Sequence, residues 1–157
     1  MPDHSIHHYA AICQWRGSTA AGYENYDRSH QLTAPPATQS LPMSSDPAFR
    51  GNRELLNPEQ LLLMAAVSCQ MLSFLAIAAR SHLDVVEYRD QAEGFMPMDD
   101  KPVRITRIIL KPRVVVKGEV REENVRQIMH TAHAQCFIAN SLKTAIEIVP
   151  EIIIRTA

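Results

Sequence analysis

The sequence has no excess of charge. In 157 residues, 16 Lys and Arg stand against 17 Asp and Glu, a formal charge of −1. A chain so balanced has no global field to draw in nucleic acid or an acidic membrane surface, and no local basic patch replaces that field. Cysteine is scarce and odd in number: Cys13, Cys69 and Cys136 have no close spacing, which fits neither a disulfide framework nor a paired CxxC zinc site. They read as thiols in a reducing compartment. The start, MPDHSIHHYAAICQW, lacks a basic stretch followed by a long apolar one, so no secretory signal is expected. The stretch Leu61 to Ala79 lacks any charged residue. It carries Ser68, Cys69, Gln70 and Ser73 and stands alone in the chain, which argues for a buried helix over a membrane span. The expected location is the cytoplasm, with no membrane and no nucleic-acid partner.

What is present is an ordinary globular composition, 46% hydrophobic and 21% charged, at a length that suits one domain over residues 1–157. His8 to Trp15 reads as a short strand, the Gly17 to Gly22 stretch as a turn, and Tyr23 to Tyr26 as the second strand of a hairpin. Leu32 to Asn57, with Pro35, Pro36, Pro42 and Pro47, reads as an extended connection over the surface. Asn57, Pro58 and Glu59 make a helix start, with Asn as N-cap, Pro in the first turn and an acid facing the positive end of the dipole. That helix should run to about Arg80. Asp84 to Gly94 and Val103 to Val116 have strand character and are expected to pair antiparallel, with Pro112 better suited to an edge or bulge. Arg121 to Gln135 reads as an amphipathic helix with Val125, Ile128, Met129 and Ala132 on one face. Cys136 to Thr144 leads into a last strand, Ile146 to Ile154, broken at Pro150. The order gives an α+β fold. The central helix is apolar on nearly all sides, which one small sheet cannot cover, so a homodimer with central helices packed together is expected.

Two thiols stand out. Cys69 lies in AAVSCQMLSF on the long helix, and Cys136 lies in HAQCFIANS after the second helix. As buried hydrophobes they have no chemistry. A zinc reading of His130, His133 and Cys136 is weak, because a three-residue spacing drifts around a helix and no fourth ligand is evident. His4, His7 and His8 read as a solvated start, and Cys13 as packing. The functional reading is a reactive thiol with a resolving thiol, which needs neither metal nor organic cofactor. It does need a cation near the first sulfur. Because Leu61 to Ala79 has none, Arg28, Arg50 and Arg53 are the candidates.

The segments LNPEQLLLMAAVSCQMLSFLAIAA, VVEYRDQAEG, ITRIILKPRVVV and AHAQCFIANSLKTAIEI together resemble the OsmC/Ohr family of osmotically inducible and organic hydroperoxide resistance proteins, and most closely its OsmC-like redox branch. NPE with a cysteine ten residues after the Glu, plus a distant second cysteine in AHAQC, is the specific combination. The resemblance implies antiparallel sheets around long central helices in an intertwined homodimer. It implies that Cys69 is the peroxidatic cysteine, Cys136 the resolving cysteine, and Glu59 the acid that holds the catalytic arginine. That arginine is Arg28 by rank, then Arg50, then Arg53. It further implies an organic hydroperoxide as substrate and a dithiol reductant such as a lipoyl-type protein.

Glu59 and Cys69 are ten positions apart on one predicted helix, about 15 Å along its axis, so they cannot touch within a chain. The expectation is that Glu59 arrives from an antiparallel partner helix crossing near Met64. Phe74, Met71, Leu72, Phe95 and Met96 are candidates to line an apolar entrance. Gln70, next to the cysteine, is expected to bear on substrate preference. His30 and His133 are candidate polar neighbours. The competing function is a non-catalytic protein that holds a hydrophobic ligand or senses redox state.

Overall fold

The computed structural model describes residues 5–156, so His4 lies outside the described residues. Two compact units divide between Leu61 and Leu62. In the first, β1 (Ile12–Gln14), β2 (His30–Thr33) and β3 (Ser40–Met43) form an antiparallel sheet in the order β1-β2-β3. Ile12 pairs with Thr33, and His30 with Met43.

This differs from the expected hairpin. The second strand is not Tyr23 to Tyr26, because the Tyr23 and Tyr26 carbonyls each accept a hydrogen bond at 2.7 Å from the Arg28 guanidinium and so are not ladder groups. Gly22, with φ of 86°, opens the turn ahead of them. The Pro-rich stretch is also not wholly a loop. It contributes β3, and Pro42 fits there because β3 is the edge strand of that sheet, bridged on its outer side at Met43 to Leu56. A 3-10 turn at Pro47–Phe49 follows, with the Asp46 carboxylate accepting from Ala48 N–H at 2.7 Å. Gly51 closes this loop by necessity, since a Cβ there would stand 1.6 Å from the Ser45 carbonyl oxygen.

Helix α1 (Pro58–Arg80, 23 residues) begins and ends where the sequence predicts. The start is a reciprocal cap: Gln60 N–H donates to Asn57 Oδ1 at 2.9 Å, and Asn57 N–H donates to Gln60 Oε1 at 3.0 Å. The end is a left-handed His82, φ 55°, with Leu83 N–H reaching back to the Ala78 carbonyl at 2.9 Å.

The second unit holds β4 (Asp84–Asp90), β5 (Glu93–Phe95), β6 (Arg107–Leu110), β7 (Pro112–Lys117), α2 (Glu122–Ala134), α3 (Phe137–Ser141), β8 (Ala145–Ile148) and β9 (Glu151–Arg155). Two sheets result, β4-β7-β9 and β5-β6-β8. β4 and β5 pair antiparallel with β7 and β6, as expected. The closing strands instead run parallel to their neighbours, Arg107 opposite Ala145 and Arg113 opposite Glu151. The sheets are therefore mixed, because the helical segment α2-α3 carries the chain back across before β8 begins. Pro112 sits in a central strand, at its first residue, where the missing N–H is tolerated.

The core has two parts. Phe74 packs with Val114 and Val116 of β7 and with Val125, Met129 and Ala132 of α2, the predicted inner face of that helix. Ala66 packs with Ile108 and Leu110 of β6, backed by Ile138 of α3. The fold is α+β. By length and composition α1 could also cross a membrane, and it is less covered than a core helix: Met64 is 51% and Leu72 60% exposed.

Candidate functional site

The buried stripe of α1 is Ala66, Gln70, Phe74 and Ala78, a four-residue repeat that faces the core. Cys69 lies just off that stripe and is half-buried. Packing of α2 on Phe74 brings the end of α2, and Cys136 beyond it, to the side of α1. Gln70 ties the two helices together, its Nε2 donating to the Met129 carbonyl at 3.4 Å. The Gln70 side chain is buried, sealed between α1 and α2.

Cys136 is the N-cap of α3 and is buried. Asn140 holds the cap in place, with Nδ2 donating to the carbonyls of Ala134 and Cys136, both at 3.0 Å. Ile138 anchors α3 in the core, whereas Phe137 points outward and is 82% exposed.

The two thiols meet, and their surroundings push them in opposite directions. For Cys69 the largest influence is burial, which raises its pKa. The Ile138 N–H, the Cys136 thiol, the Phe137 N–H and the Ser73 hydroxyl all favour the thiolate, and together they bring Cys69 below its ordinary value. For Cys136, burial comes first and raises it. The Ala139 and Ile138 N–H groups pull it down, but the hydrogen bond to Cys69 and the Cys69 charge leave it raised. The two neighbouring sulfurs are thus shifted in opposite directions, Cys69 toward the thiolate and Cys136 toward the thiol. All three cysteines are reduced in the structure.

Beside Cys69 runs a groove of about 340 Å³ along one face of α1, passing Leu72, Ser73 and Ile77 toward Arg80, with Phe137 on its other side. Leu72 is the member of the expected entrance that lines it. Phe74 is core, and Met71 faces a different cavity. Phe95 stacks under Arg107, 4.6 Å from guanidinium carbon to ring centroid. Phe137, Ser73 and the backbone donors of α3 were not anticipated. Ser73, one turn after Cys69, was visible in the spacing, whereas backbone N–H groups have no signature in a sequence.

Except for His133, the other candidates belong to the first unit. Arg28 is clamped by its two carbonyl bonds and lies over the Tyr26 ring at 3.9 Å and the Tyr23 ring at 4.7 Å. His30 Nδ1 contacts the Arg28 carbonyl at 2.8 Å. Arg50 is ion-paired with Glu24. Glu59 stands half-buried in the first turn of α1, and among the described residues no ion pair joins it to an arginine. Cys13 is exposed on β1, which corrects its reading as a packing residue. The short strand leaves its side chain without a covering layer. His133 is lowered by burial and by His130, and no group of three or more His, Cys, Asp or Glu among the described residues is placed to hold a metal.

Residues 51–151 match the family described as OsmC-like protein. The chain belongs to the OsmC-like family. An OsmC-like protein of unknown function from Vibrio cholerae has the same fold, with a TM-score of 0.83 and 27% identity over 92% of this chain and 99% of that one. An organic hydroperoxide resistance protein from Elizabethkingia anophelis is similar in fold alone, with a TM-score of 0.71 and 13% identity over 97% and 99% of the two chains. In sequence, the uncharacterized protein YmaD of Bacillus subtilis is 26% identical over 69% of this chain and 72% of its own. Some proteins of the same fold as this OsmC-like chain thus carry hydroperoxide resistance names.

Proposed function

We infer that this OsmC-like protein is a thiol-dependent peroxidase acting on organic hydroperoxides. The observation that carries the reading is the pairing of Cys69 and Cys136, one thiol lowered and its neighbour raised. The Cys69 thiolate attacks the outer peroxide oxygen, the O–O bond breaks, and the departing alkoxide takes a proton and leaves as alcohol. Cys69 is then a sulfenic acid. Cys136 attacks that sulfur, hydroxide leaves as water with the Cys136 proton, and a disulfide forms. An external dithiol, of the lipoyl type, returns both residues to thiols by exchange. The apolar groove beside Cys69 suits an alkyl chain better than hydrogen peroxide.

In this reading Arg28 supplies further positive charge to the thiolate and Glu59 orients it, both across a homodimer. The exposed apolar residues Met64 and Leu72 of α1 support a second copy as the cover of that helix. The test is turnover of cumene hydroperoxide with a dithiol reductant. Activity is expected to vanish in Cys69→Ser and to stall after one turnover in Cys136→Ser. Full activity in Cys69→Ser refutes the mechanism. The same groove also suits a hydrophobic ligand held without chemistry, and co-purification of such a ligand with no peroxide consumed favours that second reading.

A further inference from the structure

Between α2 and α3 the chain bends over two residues, Gln135 and Cys136, and this bend sets the second sulfur beside the first. A helix leaves its last carbonyls without intrahelical partners, and those of α2 are answered one by one. Thr131 and Ala132 accept from Gln135 N–H at 3.1 and 3.2 Å, and His133 accepts from Cys136 N–H at 3.1 Å. The last carbonyl, of Ala134, is left to a side chain, and Asn140 Nδ2 donates to it at 3.0 Å. The same nitrogen donates at 3.0 Å to the Cys136 carbonyl, which also accepts Asn140 N–H at 3.0 Å. One amide thus spans the bend from the end of α2 to the residue that opens α3.

An amide nitrogen carries two hydrogens, so each carbonyl takes one and the bend is fixed from both sides. Packing alone would hold it loosely. α3 has five residues and none is fully buried, Ile138 being its anchor in the core. A helix so short has little stability of its own. The Cys136 side chain makes no capping bond of its own, so its sulfur is free to face Cys69. The Phe137 and Ile138 N–H groups that favour the Cys69 thiolate follow directly after the bend. All the Asn140 bonds run to its own backbone, four and six residues back, and do not depend on what covers α1.

We propose that Asn140 is a positioning residue of the thiol pair, its two amide bonds to Ala134 and Cys136 locking the bend that holds the Cys136 sulfur within reach of Cys69. Asn140 acts through Cys136 and touches no substrate. The proposal rests on the thiol pairing behind the peroxidase reading, and its test needs no peroxide. In the full chain, the Cys69 thiolate attacks dithiodipyridine, forming a mixed disulfide and releasing one thiopyridone. Cys136 then attacks the Cys69 sulfur, the new S–S bond forms, and the second thiopyridone leaves with the Cys136 proton. That closure is independent of reagent concentration, and its rate is read by mass spectrometry as the Cys69–Cys136 linked peptide in acid-quenched samples. Asn140→Asp, which keeps the size and removes both donors, slows closure at least about threefold, and so does Asn140→Ala. Val125→Ala lowers stability from the far end of α2 and leaves closure unchanged. Slowing of less than threefold in both Asn140 variants overturns the proposal, as does equal slowing in Val125→Ala or an unmodified chain whose pair does not close. A chain that closes the pair but consumes no cumene hydroperoxide keeps the clasp and loses the peroxidase reading. Should both variants fail to fold, NMR couplings across the hydrogen bonds from Asn140 Nδ2 to the Ala134 and Cys136 carbonyl carbons of the unmodified chain decide, and their absence overturns the clasp.

Discussion

The opposite perturbation of the two thiols can be measured without any assumption about substrate. Replacing Cys136 with Ala removes one of the four donors that favour the Cys69 thiolate and leaves the Ile138 and Phe137 N–H groups in place. A hydrogen bond to a charged group is worth about 1.5–3 kcal/mol when dry, and Cys69 is half-buried, so solvent screening reduces the thiol's share to about 0.6 kcal/mol. Where the thiol form predominates, that is about a threefold loss of thiolate. The remaining thiolate is intrinsically more nucleophilic, which softens the fall in rate to about twofold. The assay is iodoacetamide alkylation followed by mass spectrometry residue by residue, from pH 5 to 10. In the unmodified protein the Cys69 profile is expected to have its midpoint below that of Cys136. Cys136→Ala moves the Cys69 midpoint up. Cys69→Ala moves the Cys136 midpoint down, because the hydrogen bond and charge that raise it are gone. Coincident midpoints in the unmodified protein, or a Cys136 profile indifferent to Cys69→Ala, would sink the account of the site.

Other expectations concern the frame of the site. Phe74→Ala empties a fully buried ring position between α1, β7 and α2, and denaturant unfolding should show a loss of about 3–5 kcal/mol. Asn57→Ala removes half of the reciprocal cap on α1, and about 1 kcal/mol should be lost by the same measurement. Leu72→Glu changes a side chain that is 60% exposed in the single chain, so an isolated protomer should tolerate it within about 0.5 kcal/mol. If α1 packs on a second copy, sedimentation will show that variant dissociated where the unmodified chain is dimeric. An unchanged sedimentation coefficient removes the helix-packed dimer.

Legibility in the sequence followed the length of the pattern. α1 was readable to the residue at both ends, because Asn57 and Pro58 are start signals and the apolar run lasts to Arg80. The inner face of α2 was readable from its periodicity. The first unit was less so. A two-residue turn with Gly would have announced a hairpin, but β1 and β2 are joined by a long connection whose shape depends on Arg28 bonding to two carbonyls, a tertiary matter. Met71 and Phe74 are apolar residues of one helix, and spacing cannot say which surface each meets. At the site, residue type announced the two thiols. The groups that favour the Cys69 thiolate are mostly backbone N–H of α3, which every residue except proline carries and no sequence advertises.

The parallel pairing of β8 with β6 and of β9 with β7 bears on the order of assembly. Parallel neighbours need a long crossover, and closing that loop has an entropic cost that only the finished ladder offsets. Cys136 rides on this crossover, between β7 and β8. In chain order, β4 to β7 and α2 lie between the helix that carries Cys69 and its neighbour Cys136. A chain interrupted before β8 carries both sulfurs and α3 but lacks the two parallel strands that complete the sheets behind them.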